Sequence, residues 1–325
     1  MLLDLLLIFA FSILLFKSTS WVVSSLKYFS RLTGLGKFAL TGLVMSLATS
    51  LPELSIAVAS TLEGKPNLVL GNVLGANIIN LSFMVGLGAV IAGAVQAHGQ
   101  FLKRDAFYAF LAGALPMLLL IDGRLGRGDG LALMAVYLLY NVTILKEQRR
   151  RLALHAGSGN GDIFRRIFHR LTDKTTDAKI WWFVLGVLGM IVSADGIVRS
   201  ASSLAAGFNL PILLVGLFLV SLGTTLPELA FEIRALRAGE SAMALGNLTG
   251  SIVANATLVL GLSAAIRPII LGSGVRSYLT ATIAYALAFL AFYLFVRTKR
   301  RLDRWEGAVL VGLYIIFATI EMIIK

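Results

Sequence analysis

The 325-residue chain contains no cysteine, which excludes disulfides, thiolate metal centres and a cysteine nucleophile while leaving the redox compartment open. Histidine is scarce too: there are three, and none falls in the two polar motifs described below. Charged residues make up only 14% of the chain against 58% hydrophobic ones, and the mean hydropathy is +0.86. Those values lie outside the range of a soluble globular domain and indicate an integral membrane protein. Alternating strand-like decads are missing as well, so helices rather than a barrel must satisfy the backbone in lipid.

What the chain does have is apolar stretches of about 20 residues or more, enough for a helix to cross a hydrocarbon core roughly 30 Å thick. Hydropathy and loop signals predict ten spans, at 2–28, 36–61, 67–93, 105–121, 129–146, 180–204, 209–236, 241–266, 278–296 and 306–324. The opening "MLLDLLLIFAFSILLF" has no basic n-region and no small-residue cleavage site, so it reads as a retained first helix. With both termini outside, the inward connections collect Lys27, Arg31, Lys37, Lys103, Arg104, the nine Lys/Arg of 146–179, Arg234, Arg237 and the run "RTKRRLDR". The net charge of +12 is therefore mostly a topology signal, and nucleic acid is not an expected partner. The expected setting is the cell membrane, with the bilayer and inorganic cations as partners and a monomer sufficient. The polar stretch 147–179 reads as a basic cytoplasmic linker between a first five-helix unit, 1–146, and a second, 180–325. Its amphipathic piece "DIFRRIFHRL" carries no assigned chemistry.

Placing Ser46 on Ser221, an offset of 175 kept without a gap, aligns "SLATSLPELSIAVASTLEGKPNLVLGNVLGANIIN" with "SLGTTLPELAFEIRALRAGESAMALGNLTGSIVAN". Chance likeness between apolar segments matches Leu, Val and Ala; here Pro, Glu and Asn coincide. An odd number of spans per copy inserts the second copy upside down. The expected fold is therefore an all-α protein of ten transmembrane helices in two inverted-topology five-helix repeats, with a site near the midplane where interrupted helices meet.

A charged carboxylate at the centre of a spanning helix costs about 2.5–3.5 kcal/mol on insertion scales, so Glu53 and Glu228 should face the interior and meet an opposite charge. Neither repeat core supplies Lys, Arg or His. A bound cation is the simplest counter-charge. Pro52 and Pro227 disturb their helices and free backbone carbonyls. The further candidate ligands are Thr49, Ser50, Thr224, Thr225, Asn80, Asn255 and Ser251, an oxygen-only set suited to hard cations such as Ca2+ and Na+. Mg2+ or Mn2+ is a second reading within this class. The glycines of "GNVLG" and "GNLTG" are expected to bring the third and eighth spans close to the second and seventh. Glu232, one turn beyond Glu228, would line an inward path, although its repeat mate is Ala57. Asp195 and Arg199 read as an intrahelical pair. An intramembrane hydrolase would need a His, Cys or Ser-base arrangement that the repeats lack, and a passive channel would need a continuous polar lining on several helices, whereas polarity is concentrated in four.

The pairs "SLATSLPEL" with "GNVLGANIIN" and "SLGTTLPEL" with "GNLTGSIVAN" resemble the two alpha-repeats of the cation/calcium exchanger superfamily, in its prokaryotic Na+/Ca2+ exchanger branch. The resemblance implies a secondary antiporter rather than an enzyme, with alternating access, no prosthetic group, and Ca2+ exchanged for Na+ or H+. It implies that the first and sixth helices slide across the other eight. It also implies cation ligation by Thr49, Ser50, Glu53, Asn80, Thr224, Thr225, Glu228 and Ser251, with carbonyls from Ser46 and Ser221. Two positions depart from the family pattern: Ala76 stands where a Ser hydroxyl is usual, and Asn255 where Asp occurs in Na+/Ca2+ exchangers. Two formal negative charges balance one Ca2+, two Na+ or two H+, whereas three Na+ would leave an excess positive charge in a low-dielectric site.

Overall fold

A computed structural model describes residues 2–32, 50–97, 106–153 and 174–323. Ten helical segments occur among them: α1 (Leu2–Leu32), α2 (Leu51–Leu62), α3 (Pro66–Ala92), α4 (Ala106–Leu119), α5 (Arg127–Ala153), α6 (Lys174–Gly207), α7 (212–237), α8 (Ser241–Ile266), α9 (Val275–Lys299) and α10 (Arg304–Ile323). The protein is membrane-embedded and multi-pass. Six of these helices, α1, α3, α6, α8, α9 and α10, are long and apolar enough to cross a membrane, and α7 makes a seventh if its bent pair counts as one span. The other expected spans are less regular. α4 is a short apolar helix with Pro116 inside it, and α5 runs past the expected end at 146 into the basic segment, as far as Ala153. Only 51–62 of the second expected span is helical among the described residues, its first part lying outside them, as does "DIFRRIFHRL".

The core is built on α3 and α8, of whose spans 78% is buried, against 28% for α1 and α6. This ranking follows from small residues. A Cβ on Gly71 would lie 2.1 Å from the Leu213 carbonyl oxygen, and one on Gly75 2.1 Å from that of Leu217. Close approach thus joins α3 to α7, where the sequence pattern suggested α2. Gly88 meets Leu236 further along, so α3 and α7 run parallel. Gly86 of α3 meets Gly307 of α10, and Gly261 of α8 meets Gly130 of α5. α4 is tied to α9 by the Tyr278 and Tyr285 hydroxyls, which donate to the Met117 and Ala109 carbonyls.

α1 and α6 pack on each other through Ile8, Leu15 and Val22 against Met190, Ala194, Ile197, Val198 and Ala201, in an apolar cluster that also takes in Ile56 of α2, Leu68 of α3 and Val215 and Val220 of α7. Gly186, Gly189 and Gly196 of α6 seat Val22, Ser18 and Phe11 of α1, so these two helices are antiparallel and closely packed. Arg199 Nε pairs with Asp195 Oδ2 at 2.9 Å, the expected intrahelical contact.

The chain is not wholly helical. β1 (Ala94–Gln96), after α3, pairs antiparallel with β4 (Arg301–Asp303), between α9 and α10, and β2 (Arg124–Leu125), between α4 and α5, pairs with β3 (Ile269–Ile270), after α8. Each half thus lends the other the strand it lacks. Outside the spans, the Lys299 ammonium bonds Asp303 and, with Arg301 beside it, holds that carboxyl below the usual aspartate range. This exposed clasp is complete above the ordinary aspartate value and loosens as pH falls through the lowered one.

Candidate cation site

Helix interruptions set the geometry. α2 starts at Leu51, with Pro52 in its first turn and Glu53 directly after it, positions where a missing N–H costs nothing. α7 passes through Pro227 with a 41° bend between 212–226 and 228–237, as an interior proline requires. α3 and α8 carry π-helical turns at Asn80–Met84 and Ala254–Val259. They begin within one residue of equivalent positions in the 175-residue alignment, and each contains or starts on an expected asparagine. Such turns widen the helix by one residue and are frequent at functional sites.

Glu53, Asn80, Ser221, Ser251 and Asn255 are each 0% exposed, and Ser50, Thr224, Thr225 and Glu228 are buried. Ser251 Oγ donates to Glu228 Oε1 at 3.1 Å. Asn80 also stands beside Glu228, and Glu53 is near it. Thr224 is next to Glu53, and its hydroxyl reaches Asn72 Oδ1 at 3.4 Å and the Ser221 carbonyl at 3.1 Å. Thr225 donates to the same carbonyl at 2.8 Å. With their protons spent on the backbone, both threonines keep oxygen lone pairs for another partner. Four elements therefore converge here: the start of α2, and α3, α7 and α8. Thr49 and Ser46 lie outside the described residues.

The unusual feature is the number of acceptors left without a donor. Both oxygens of Glu53, Oε2 of Glu228, Oδ1 of Asn80 and of Asn255, and Oγ of Ser50 are buried without a hydrogen-bond partner. Buried oxygens are normally bonded, so this set fits a group that binds oxygen without offering protons. Its chemistry is that of a hard cation. Among the described residues there is no group of three or more His, Cys, Asp or Glu able to hold a metal ion; the charge rests on two carboxylates and the remaining ligands are neutral.

Two residues that pattern reading did not single out belong here. Asn72 accepts from Thr224, and Asn77 Oδ1 accepts from Asn255 Nδ2 at 3.4 Å. Asn72 had a signal, since Leu-Gly-Asn recurs at Asn247; Asn77 aligns with Ile252 and had none. Ala76 explains an asymmetry. It is the repeat mate of Ser251 and fully buried. Glu228 thus receives the Ser251 hydroxyl on Oε1, and the equivalent position in the first repeat offers Glu53 no such group.

A family model described as sodium/calcium exchanger protein matches residues 3–146 and 178–323. The inner membrane protein YrbG of Escherichia coli (strain K12) is 30% identical over 279 residues, covering 84% of this chain and 83% of that protein. The putative antiporter CaxA of Alkalimonas amylolytica is 28% identical over 84% of each chain. The sodium/calcium exchanger MaX1 of Methanosarcina acetivorans is 24% identical over 95% of each. Among solved structures, the sodium-calcium exchanger NCX_Mj superposes with a TM-score of 0.63 over 98% of this chain and 99% of that one, at 23% identity, a likeness of fold.

Proposed function

Since the chain belongs to the sodium/calcium exchanger protein family, we propose that it exchanges Ca2+ for Na+ or H+ by alternating access at the site between Glu53 and Glu228. One observation carries this reading: carboxylate, amide and hydroxyl oxygens from four elements are buried together, six of them without a hydrogen-bond partner. Ca2+ takes about 6–8 oxygen ligands. Glu53, Glu228, Asn80, Asn255, Ser50, Thr224, Thr225, Ser251 and the Ser221 carbonyl, with Thr49 and the Ser46 carbonyl, supply a set of that kind. The name of MaX1 adds support for the ion pair.

Exchange rather than leak follows from charge. The empty site holds two carboxylates in a dry interior, and moving it through a closed state is too costly. Once one Ca2+, two Na+ or two H+ neutralise it, it can change sides. The architecture proposed for that movement is two inverted five-helix repeats, 1–146 and 180–325, joined by the cytoplasmic segment 147–179, with both termini outside. The parallel course of α3 and α7 and the reciprocal strand pairs support it. The antiparallel α1/α6 pair, which meets the other helices through apolar side chains, supports a sliding gate.

The test is 45Ca2+ uptake into proteoliposomes loaded with Na+, with acid, or with neither. Uptake that follows one outward gradient is expected and identifies the counter-ion; equal uptake under all three conditions would overturn the exchange reading. With two formal charges, electroneutral coupling to two monovalent ions is expected, and uptake should not respond to an imposed membrane potential.

Ala76→Ser gives a second prediction. A hydroxyl at this position stands to Glu53 as Ser251 stands to Glu228, and one hydrogen bond to a carboxylate is worth about 1.5–3 kcal/mol. With Na+ as the counter-ion, the half-maximal Na+ concentration should fall about tenfold or more at 1.4 kcal/mol per tenfold, measured as Na+ inhibition of 45Ca2+ uptake. An unchanged Na+ dependence would place Ala76 away from the ion.

A further inference from the structure

Glu232 lies four residues beyond Glu228 on α7, on the same helix face. It is 0% exposed, and neither of its oxygens has a hydrogen-bond partner. The basic residues of this last turn, Arg234 and Arg237, are exposed and supply no counter-charge. A buried acid with no partner is costly and persists where something binds it.

Its surroundings differ from those of its repeat mate. Ala57 is buried and apolar, and the next turn of α2 carries hydroxyls: Ser60, and Thr61 bonded to Ser263 of α8 at 2.7 Å. At the matching place on α7, Leu236 packs over Gly88 of α3. The turn of α2 beyond Ala57 therefore carries neutral hydroxyls, and the matching stretch of α7 carries apolar side chains and one carboxylate.

We propose that Glu232 is a second, one-sided cation site in series with the first, formed by its carboxylate and the unpartnered Oε2 of Glu228. A hard cation leaving Glu228 toward the C-terminal end of α7 is held there before release. The two faces of the protein then differ in cation affinity although the central ligands are near-symmetric. This inference rests on the exchange reading above.

The experiment uses the full chain in vesicles of either orientation, with half-maximal Ca2+ for exchange read from each face. Glu232→Gln is expected to raise it about tenfold, the loss of one charged ligand, at the face reached from the C-terminal end of α7, and to leave the other face unchanged. Adding Ala57→Glu should lower it at the opposite face. A change of equal size at both faces, or at neither, would overturn the proposal. A merely structural acid would behave in that way. Removing an unpartnered buried charge should not lower the melting temperature; if E232Q fails to fold, Glu232→Asp, which shortens the reach, takes its place. If wild-type vesicles exchange no cation, the exchange reading fails by itself and binding decides Glu232. A Ca2+-induced rise in melting temperature that survives in Glu53→Gln and disappears when Glu232→Gln is added supports the second site. The same rise with and without Glu232, or no rise in either, overturns it.

Discussion

Glu53→Gln and Glu228→Gln should each abolish gradient-driven 45Ca2+ uptake, a fall of at least about 100-fold, or ~2.8 kcal/mol at 1.4 kcal/mol per tenfold. Gln keeps the shape and one oxygen of Glu, so packing around these two fully or nearly buried residues is preserved. What is lost is one of two formal charges, and a divalent ion then sits with a net positive charge in a low-dielectric site. The double variant should be no worse than either single one, because each removal already breaks neutrality and the two sites act as one unit. Stability should move the other way. Three of the four carboxylate oxygens are buried without a partner, so the ion-free protein bears a desolvation cost that the amides reduce, and the ion-free melting temperature should rise by a few degrees. Ca2+ should stabilise the wild type, by about 2.7 kcal/mol at 100 times its dissociation constant, and should leave the variants only the smaller shift that Glu232 supplies. A variant that loses uptake but keeps a wild-type Ca2+-induced shift would separate binding from transport and remove that residue from the ligand set.

Much of this site was legible because polar residues in an apolar chain are conspicuous. Glu53 and Glu228 stand out by cost, and Pro52, Pro227, Asn80 and Asn255 by recurrence at one offset. The π-helical turns were not legible. A one-residue insertion leaves hydropathy unchanged over a uniformly apolar helix, so periodicity has nothing to register. The strand pairs of two and three residues lie below the length at which alternation can be read. Small residues in a motif say that some backbone comes near, not whose, and so the partner of Gly71 and Gly75 had to come from the fold. Glu232 looked like an unmatched charge in the alignment; its complete burial without a partner is what gives it weight.

That α3–α7 contact carries the second large effect: Gly71→Val should lower the melting temperature by about 10 °C and remove cation binding with it. The added Cβ would lie 2.1 Å from the Leu213 carbonyl oxygen and 2.9 Å from the Leu217 amide nitrogen. Both obstacles are backbone, so no rotamer change relieves them and the helices must separate. Overpacking of this kind costs about 1–3 kcal/mol and at times more, and in a chain this long each kcal/mol moves the melting temperature by roughly 2–4 °C. The functional loss comes from the same displacement, because α3 brings Asn72 and Asn80 and α7 brings Thr224 and Glu228. Asn72 and Thr224 already stand at 3.4 Å, at the limit of a hydrogen bond, and any separation breaks it. Gly312→Ala in α10 is the control, since nothing lies within 4 Å of its Cβ. It should leave transport intact and gain up to about 1 kcal/mol from helix propensity. If Gly71→Val melts like the wild type and still binds Ca2+, the close crossing of α3 and α7 does not hold the two halves of the site together, and their alignment must come from α8 and the start of α2.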